Sequence, residues 1–311
     1  MSYPYANGVV KALEPRLLDR TKTAKLARAA KGAFLKALSD VGYGRIVPGD
    51  TVESAIAREL REYHALLDGI SPDRNATDLF FLAEDAMNLK SLLKRRLFGA
   101  PAFDAADADG TTPYPDLSKA VLDDDFEGLS PAVAGLLRGV IESVSGTDAG
   151  SLSAAVDKAI YARAFKSLGI LPDRALKTYL QAKVDFANVI AVFRIRRLGW
   201  RAERFASVFI PGGRYDDETL AQAFEAAPVD AARLLQDQYG EKVSRIIREQ
   251  TEKRSLSILE SLLSDLLLEV AGEFRDDGFG IGPIIYYHLE KQREADLVRT
   301  LYARAEDRPG D

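Results

Sequence analysis

The chain has 311 residues, 47% of them apolar and 29% charged, which suits two or three globular domains and excludes a disordered chain. Its formal net charge of -5 gives no general attraction to nucleic acid. It contains no cysteine, which excludes disulfides, thiolate catalysis and cysteine zinc sites.

The opening residues, MSYPYANGVVKALEPRLLDR, lack the basic start and long apolar run of a secretory signal, so none is expected. Apolar residues from Leu17 to Leu38 recur near the helical period, and Gly42-Tyr43-Gly44 stops the run. Val52, Ile56, Leu60, Tyr63 and Leu67 step by three or four and predict a second helix. Asp68-Gly69 and Ser71-Pro72-Asp73 punctuate the chain before a long helix expected over 78–98. Gly99 tolerates a left-handed cap and Pro101 cannot continue the helix, so the stop is clear. The stretch APAFDAADADGTTPYP, residues 100–115, reads as a linker or surface loop.

Helices resume at Ser130-Pro131 and over 151–168, and Leu171-Pro172-Asp173 opens one that reaches Leu198. Ile210-Pro211-Gly212-Gly213 is a second break. Short helices run to Tyr239 and longer ones from Glu241 to Phe274. Gly278, Gly280 and Gly282-Pro283 then form a turn before a last helix over 284–304. The short apolar run Ala206–Ile210 is the one stretch compatible with a strand. The most apolar run, ILESLLSDLLLEVAG, is broken by Glu260, Asp265 and Glu269. It falls short of the roughly 18 uncharged residues of a membrane span, so membrane association is expected only through a partner or a surface contact.

One helix recurs. DAMNLKSLLKRRLFG (85–99) and DFANVIAVFRIRRLG (185–199) align without a gap at both aspartates, Asn88 and Asn188, Arg96 and Arg196, and both glycines. READLVRTLYARAED (293–307) aligns as a third copy when Asp296 is set against the asparagines and Arg304 against the arginines. The copies are spaced by close to a third of the chain, so each is expected to close one of three helical repeats. Positions eight apart on a helix differ by about 80° and about 12 Å, so the asparagine and arginine serve different neighbours. The plain expectation is that the asparagine satisfies backbone on an adjacent helix and the arginine stem covers apolar surface. Cations there also complement the helix dipole. The functional alternative is that Arg96, Arg196 and Arg304 meet an acidic partner.

Catalytic constellations are thin. Neither His64 nor His288 has a second histidine at metal-ligand spacing, and His288 with Glu290 and Glu294 is better read as a charged helix face than as a zinc site. There is no Walker A pattern and no G-x-S-x-G. The GFGIGP glycines, 278–283, follow no strand, which disfavours a dinucleotide site. Asp123-Asp124-Asp125 and Asp276-Asp277 are expected to be solvated loop acids. Lys94–Arg96 and Arg194–Arg197 lack the interleaved aromatics of a single-strand platform, so no nucleic-acid partner is expected. The residues alone predict an all-α scaffold that works by contact, with no catalytic residue, metal or cofactor.

Several motifs together resemble the C subunit of the archaeal/vacuolar-type rotary ATPases, known as the d subunit in eukaryotic vacuolar ATPases. They are Tyr5-Ala6-Asn7 and Arg16-Leu17-Leu18, then Gly42-Tyr43-Gly44, Asn88-Leu89-Lys90, and Asp185 with Asn188. Phe209–Gly213 comes next, and then the block from Gly282-Pro283 through Lys291, Glu294 and Leu297 to Arg299. The resemblance spans essentially the whole chain. Two departures are Asp296, where asparagine is more usual, and a C-terminus, AEDRPGD, expected to be shorter than the family's tail.

The resemblance implies three similar helical domains in a pseudo-threefold, funnel-shaped arrangement, divided here as 1–110, 111–213 and 214–311, with N-terminal residues packing on the third. It implies a non-catalytic central-stalk subunit, peripheral to the membrane on its cytoplasmic side. Such a subunit links the shaft of D and F subunits to the membrane proteolipid ring and couples ATP synthesis or hydrolysis to proton or sodium transport. The alternative is a helical-repeat adaptor of an unrelated assembly.

Overall fold

A computed structural model describes residues 2–101, 110–144, 149–171 and 173–306. In chain order the helices are α1 (Tyr3–Leu13), α2 (Arg20–Leu26), α3 (Phe34–Asp40), α4 (Val52–Ile70), α5 (Arg74–Thr77), α6 (Leu82–Phe98), α7 (Tyr114–Leu122), α8 (Pro131–Ser143) and α9 (Ala149–Leu168). They continue as α10 (Arg174–Arg197), α11 (Ala202–Val208), α12 (Asp217–Glu225), α13 (Pro228–Leu234), α14 (Gln236–Tyr239), α15 (Glu241–Lys253), α16 (Leu256–Gly272) and α17 (Gly282–Arg304). No strand occurs among the described residues, so the protein is all-α. The run Ala206–Ile210 is the end of α11 and the turn after it. The helix expected from residue 78 begins as a 3-10 turn, Asp78–Phe81, before α6. Residues 102–109 of the expected 100–115 loop and Pro172 lie outside the described residues.

Side-chain caps set several starts. Thr51 and Ser54 form a reciprocal capping box on α4, and Asp19, Ser130, Asp173, Asp216 and Ser255 accept the first free N–H groups of α2, α8, α10, α12 and α16. The two aligned glycines close α6 and α10 alike, with Gly99 at φ 63° and Gly199 at φ 67°.

The described residues form two compact units. One takes those of Met1–Phe81 and Phe274–Asp311, the other those of Leu82–Phe103 and Gly110–Glu273. In the first, α17 packs on α4 and α1, and Leu26, Phe34, Leu38, Ile56, Ala295 and Val298 share a core. In the second, α6 packs on α7 and α9, while α10 packs on α12 and α16. Fully buried Leu89, Leu92 and Leu93 turn one face of α6 inward, each contributing about 1.5–3 kcal/mol. Leu97, expected on the same stripe as Leu89 and Leu93, is only partly buried.

α6 packs on helices that follow it, α7 and α9, whereas α10 packs on α9 before it as well as on α11, α12 and α16 after it.

Candidate functional site

Residues that carry the resemblance, scattered along the sequence, converge in the first unit. Arg16, Leu17, Gly42-Tyr43-Gly44, Lys291 and Glu294 line a cleft of about 370 Å³ together with Glu59 and Glu62 of α4. Lys291, with its side chain 6% exposed, donates to Glu59 at 2.6 Å and to Glu294 at 2.5 Å, and its ammonium lies 5.6 Å from the centre of the Tyr43 ring. The second oxygen of Glu294 accepts the Leu18 N–H at 2.7 Å. This bond anchors the chain just before α2 onto α17.

Burial disfavours the Lys291 ammonium, but Glu294 and Glu59 outweigh it and hold its pKa above the ordinary lysine value. A lysine held protonated is neither nucleophile nor general base near neutral pH. Burial pushes Glu294 above the usual carboxylate range, against the pull of Lys291. Burial first, then the nearby carboxylates, raise Tyr43 far above a free phenol. The cleft is therefore lined by a network in which Lys291 bridges two carboxylates and Glu294 ties the chain before α2 to α17.

The second unit repeats the same chemistry on α6 and α10. Asp85 accepts the Thr111 N–H at 2.8 Å and its hydroxyl at 2.6 Å. Asp185, fully buried, accepts Arg214 N–H at 2.9 Å, Tyr215 N–H at 3.1 Å and the Tyr239 hydroxyl at 2.6 Å. In each case a glycine lets the loop approach. A Cβ would stand 2.3 Å from Asp85 at Gly110 and 2.0 Å from Asp185 at Gly213. The sequence alignment matched these aspartates but missed their role. The available signal was an acid on a core-facing position followed 25 to 28 residues later by a glycine before a polar residue. Glu294, which caps Leu18, supplies the same chemistry on α17.

The matched asparagines differ from their assigned third member. Asn88 and Asn188 are fully buried, and Asn188 exchanges both hydrogen bonds with the Ile210 backbone, at 2.8 and 2.9 Å. Asp296 is exposed and pairs with Arg299 at 3.1 Å. A charged carboxylate is costly to bury unpaired, so this position faces solvent on α17.

Arg96 donates to the Val121 carbonyl at 2.6 Å and grips both oxygens of Asp124, at 2.8 and 3.1 Å. Arg196 donates to the Ala223 carbonyl at 3.3 Å, and burial lowers its pKa. Both arginines thus reach the last turn of a following short helix, α7 or α12. Arg304 is exposed in the last turn of α17. Four acids expected to be merely solvated are engaged: Asp124 by Arg96, Asp125 by the Glu127 N–H at 3.0 Å, Asp276 by Lys11 at 3.8 Å, and Asp277 by the N–H groups of Phe279 and Gly280, both at 3.1 Å.

His64 stacks on Phe81 with ring centres 3.7 Å apart, and His288 lies 5.0 Å from Phe80, 2% exposed. Glu290 accepts the Tyr286 hydroxyl at 3.0 Å. Among the described residues no three potential ligands cluster as a metal site, and no helix is long and apolar enough to cross a membrane.

Residues 6–308 match the ATP synthase (C/AC39) subunit family. The chain is 25% identical to the C subunit of the A-type ATP synthase of Thermococcus kodakarensis, over 96% of this chain and 85% of the relative. It is 25% identical to the C subunit of the V-type ATP synthase of Thermus thermophilus, over 97% of this chain and 94% of the relative. A third relative, the A-type C subunit of Thermococcus gammatolerans, is 26% identical over 96% of this chain and 85% of its own length. The ordered motifs, the cleft they build and a match over nearly every residue agree, and the chain belongs to the ATP synthase (C/AC39) subunit family.

Proposed function

We propose that the chain is a non-catalytic central-stalk subunit of an A/V-type rotary ATP synthase. In this reading it is a socket that receives the shaft of D and F subunits and seats on the membrane proteolipid ring from the cytoplasmic side. It thereby couples ATP synthesis or hydrolysis to proton or sodium transport. The observation that carries the reading is the family match across residues 6–308. A part that transmits torque must be stiff, and the carboxylates of Asp85, Asp185 and Glu294, each holding a loop to a long helix, supply stiffness. The recurrence of that device supports a three-part, pseudo-threefold organisation, divided as 1–110, 111–213 and 214–311.

Within this reading Arg96, Arg196 and Arg304 are partner-facing cations. Arg304 is exposed, and Arg96 and Arg196 add a packing role. Reversing all three charges is expected to weaken pull-down of the purified shaft complex or of the proteolipid ring at least tenfold. The helical circular-dichroism signal must be retained for that result to count. Unchanged binding to both would leave the arginines as packing residues. The function itself is tested by what copurifies with the tagged chain from its native membrane. ATPase head and ring subunits are expected; a different assembly would make the chain an adaptor.

A further inference from the structure

Phe279 is 85% exposed, more than any other large apolar side chain among the described residues. It stands in the turn that precedes α17. A single exposed apolar residue on a loose loop needs no explanation. This turn is not loose. One stripe of α1 and the turn after it, Asn7, Lys11 and Glu14 at i, i+4 and i+7, grips it.

The Asn7 amide donates to the carbonyls of Asp277, Gly278 and Gly280 at 3.2, 3.1 and 3.0 Å. Three acceptors around one atom fix the amide orientation, since an oxygen there would face three oxygens. Glu14 accepts from Arg275 at 3.0 Å, and that guanidinium lies 4.8 Å from the centre of the Tyr286 ring. Lys11 lies 3.3 Å from Glu14 and 3.8 Å from Asp276. Inside the turn Asp277 accepts from the N–H groups of Phe279 and Gly280. A Cβ at position 280 would stand 2.3 Å from the Asp277 carboxylate, so a larger residue there would displace that carboxylate.

We propose that Phe279 is a preorganised anchor for a partner protein that presents an apolar pocket rimmed by lysine or arginine. Two observations choose this occupant. Asp276, with its side chain 91% exposed, and exposed Asp277 stand three and two residues before Phe279; they complement a basic rim and repel anionic lipid or nucleic acid. The clamp also fixes the backbone before binding, which removes an ordering cost that a mobile loop would meet at the interface. Aromatic anchors that enter pockets dominate interface energies. The inference rests on the proposed function, because it assigns a contact surface to a stalk subunit.

The test titrates full-length wild type, Phe279→Ser and Asn7→Ala against the purified complex of the other rotor subunits, shaft and ring, in detergent. Phe279→Ser is expected to bind about thirtyfold more weakly at unchanged Tm, because the ring takes no part in folding. Asn7→Ala is expected to weaken binding as well, with a lower Tm. Asp276→Asn with Asp277→Ser is expected to flatten the salt dependence of the affinity. Failure of the wild type to bind would defeat the stalk reading itself. Wild-type binding matched within twofold by Phe279→Ser would overturn the anchor alone. Two further results would also overturn it: wild-type self-association in sedimentation that Phe279→Ser abolishes, or Phe279-dependent binding to phosphatidylcholine vesicles, each with rotor binding unchanged.

Discussion

Asp185 shows how much of this fold hangs on single polar atoms. Its carboxylate receives two backbone N–H groups and a tyrosine hydroxyl with no exposure to water. An amide has one acceptor oxygen, and its NH2 group would face donors. Asp185→Asn is therefore expected to cost about 2–4 kcal/mol in urea unfolding. Gly213→Ala, which places a methyl against the same carboxylate, should destabilise too, and the double variant should cost clearly less than the sum. Strict additivity would mean that the two do not share one site. At this scale the sequence was informative where residue chemistry is local, as with the glycine caps. It was silent on Glu59 and on the role of the matched aspartates, because their donors come from distant segments that no spacing rule connects. It misassigned Asp296, since an amphipathic alignment registers side-chain type and not burial.

At the scale of elements, α4 is held at its start by an ion pair. Arg58 donates to both oxygens of Asp50, at 2.7 and 2.6 Å, and to the Arg45 carbonyl at 2.6 Å, while Val47 N–H and Ser54 also donate to Asp50. The Arg58 hydrogen bonds first, then that of Val47, hold the Asp50 carboxyl well below the usual carboxylate range. A depressed folded pKa contributes stability that is complete above the unfolded value, about 3.9, and is lost as pH falls below it toward the folded value. Asp50→Asn should thus lower Tm near neutral pH and leave a shallower fall in Tm than wild type shows between about pH 4 and pH 2. Parallel curves for the two proteins would refute the assignment. Helix existence and type were legible in the sequence because a 3.6-residue apolar period is strong over long segments. Which helices pair was not, since a cap glycine announces a turn but not the direction in which the chain folds back.

For the molecule as a whole, the family match and the unit structure bear on different questions. The match concerns the assembly the protein serves. The units concern how the chain builds it. The second unit is continuous apart from residues 104–109, whereas the first joins segments whose contacts span 270 and 276 residues, as in Asn7 with Asp277 and Leu18 with Glu294. A fragment of residues 82–273 is expected to melt cooperatively by circular dichroism. Residues 1–81 alone should not, because Ala295, Val298, Lys291 and Glu294 of α17 complete their core and cleft. Adding a 274–311 peptide should restore a transition. A cooperative melt from residues 1–81 alone would disprove this dependence.

The same long-range pairing has a consequence during translation. Residues 1–81 leave the ribosome first and then wait while the 192 residues of 82–273 are made, roughly 10–40 s at ordinary bacterial and eukaryotic elongation rates. For that interval the core of Leu26, Phe34, Leu38 and Ile56 lacks Ala295 and Val298 of α17. Only once residues 277–280 have emerged can Asn7 seize the turn that bears Phe279. A product terminated before residue 277 therefore has neither the Asn7 clamp nor Phe279, and the fixed turn forms only when the chain's beginning meets its end.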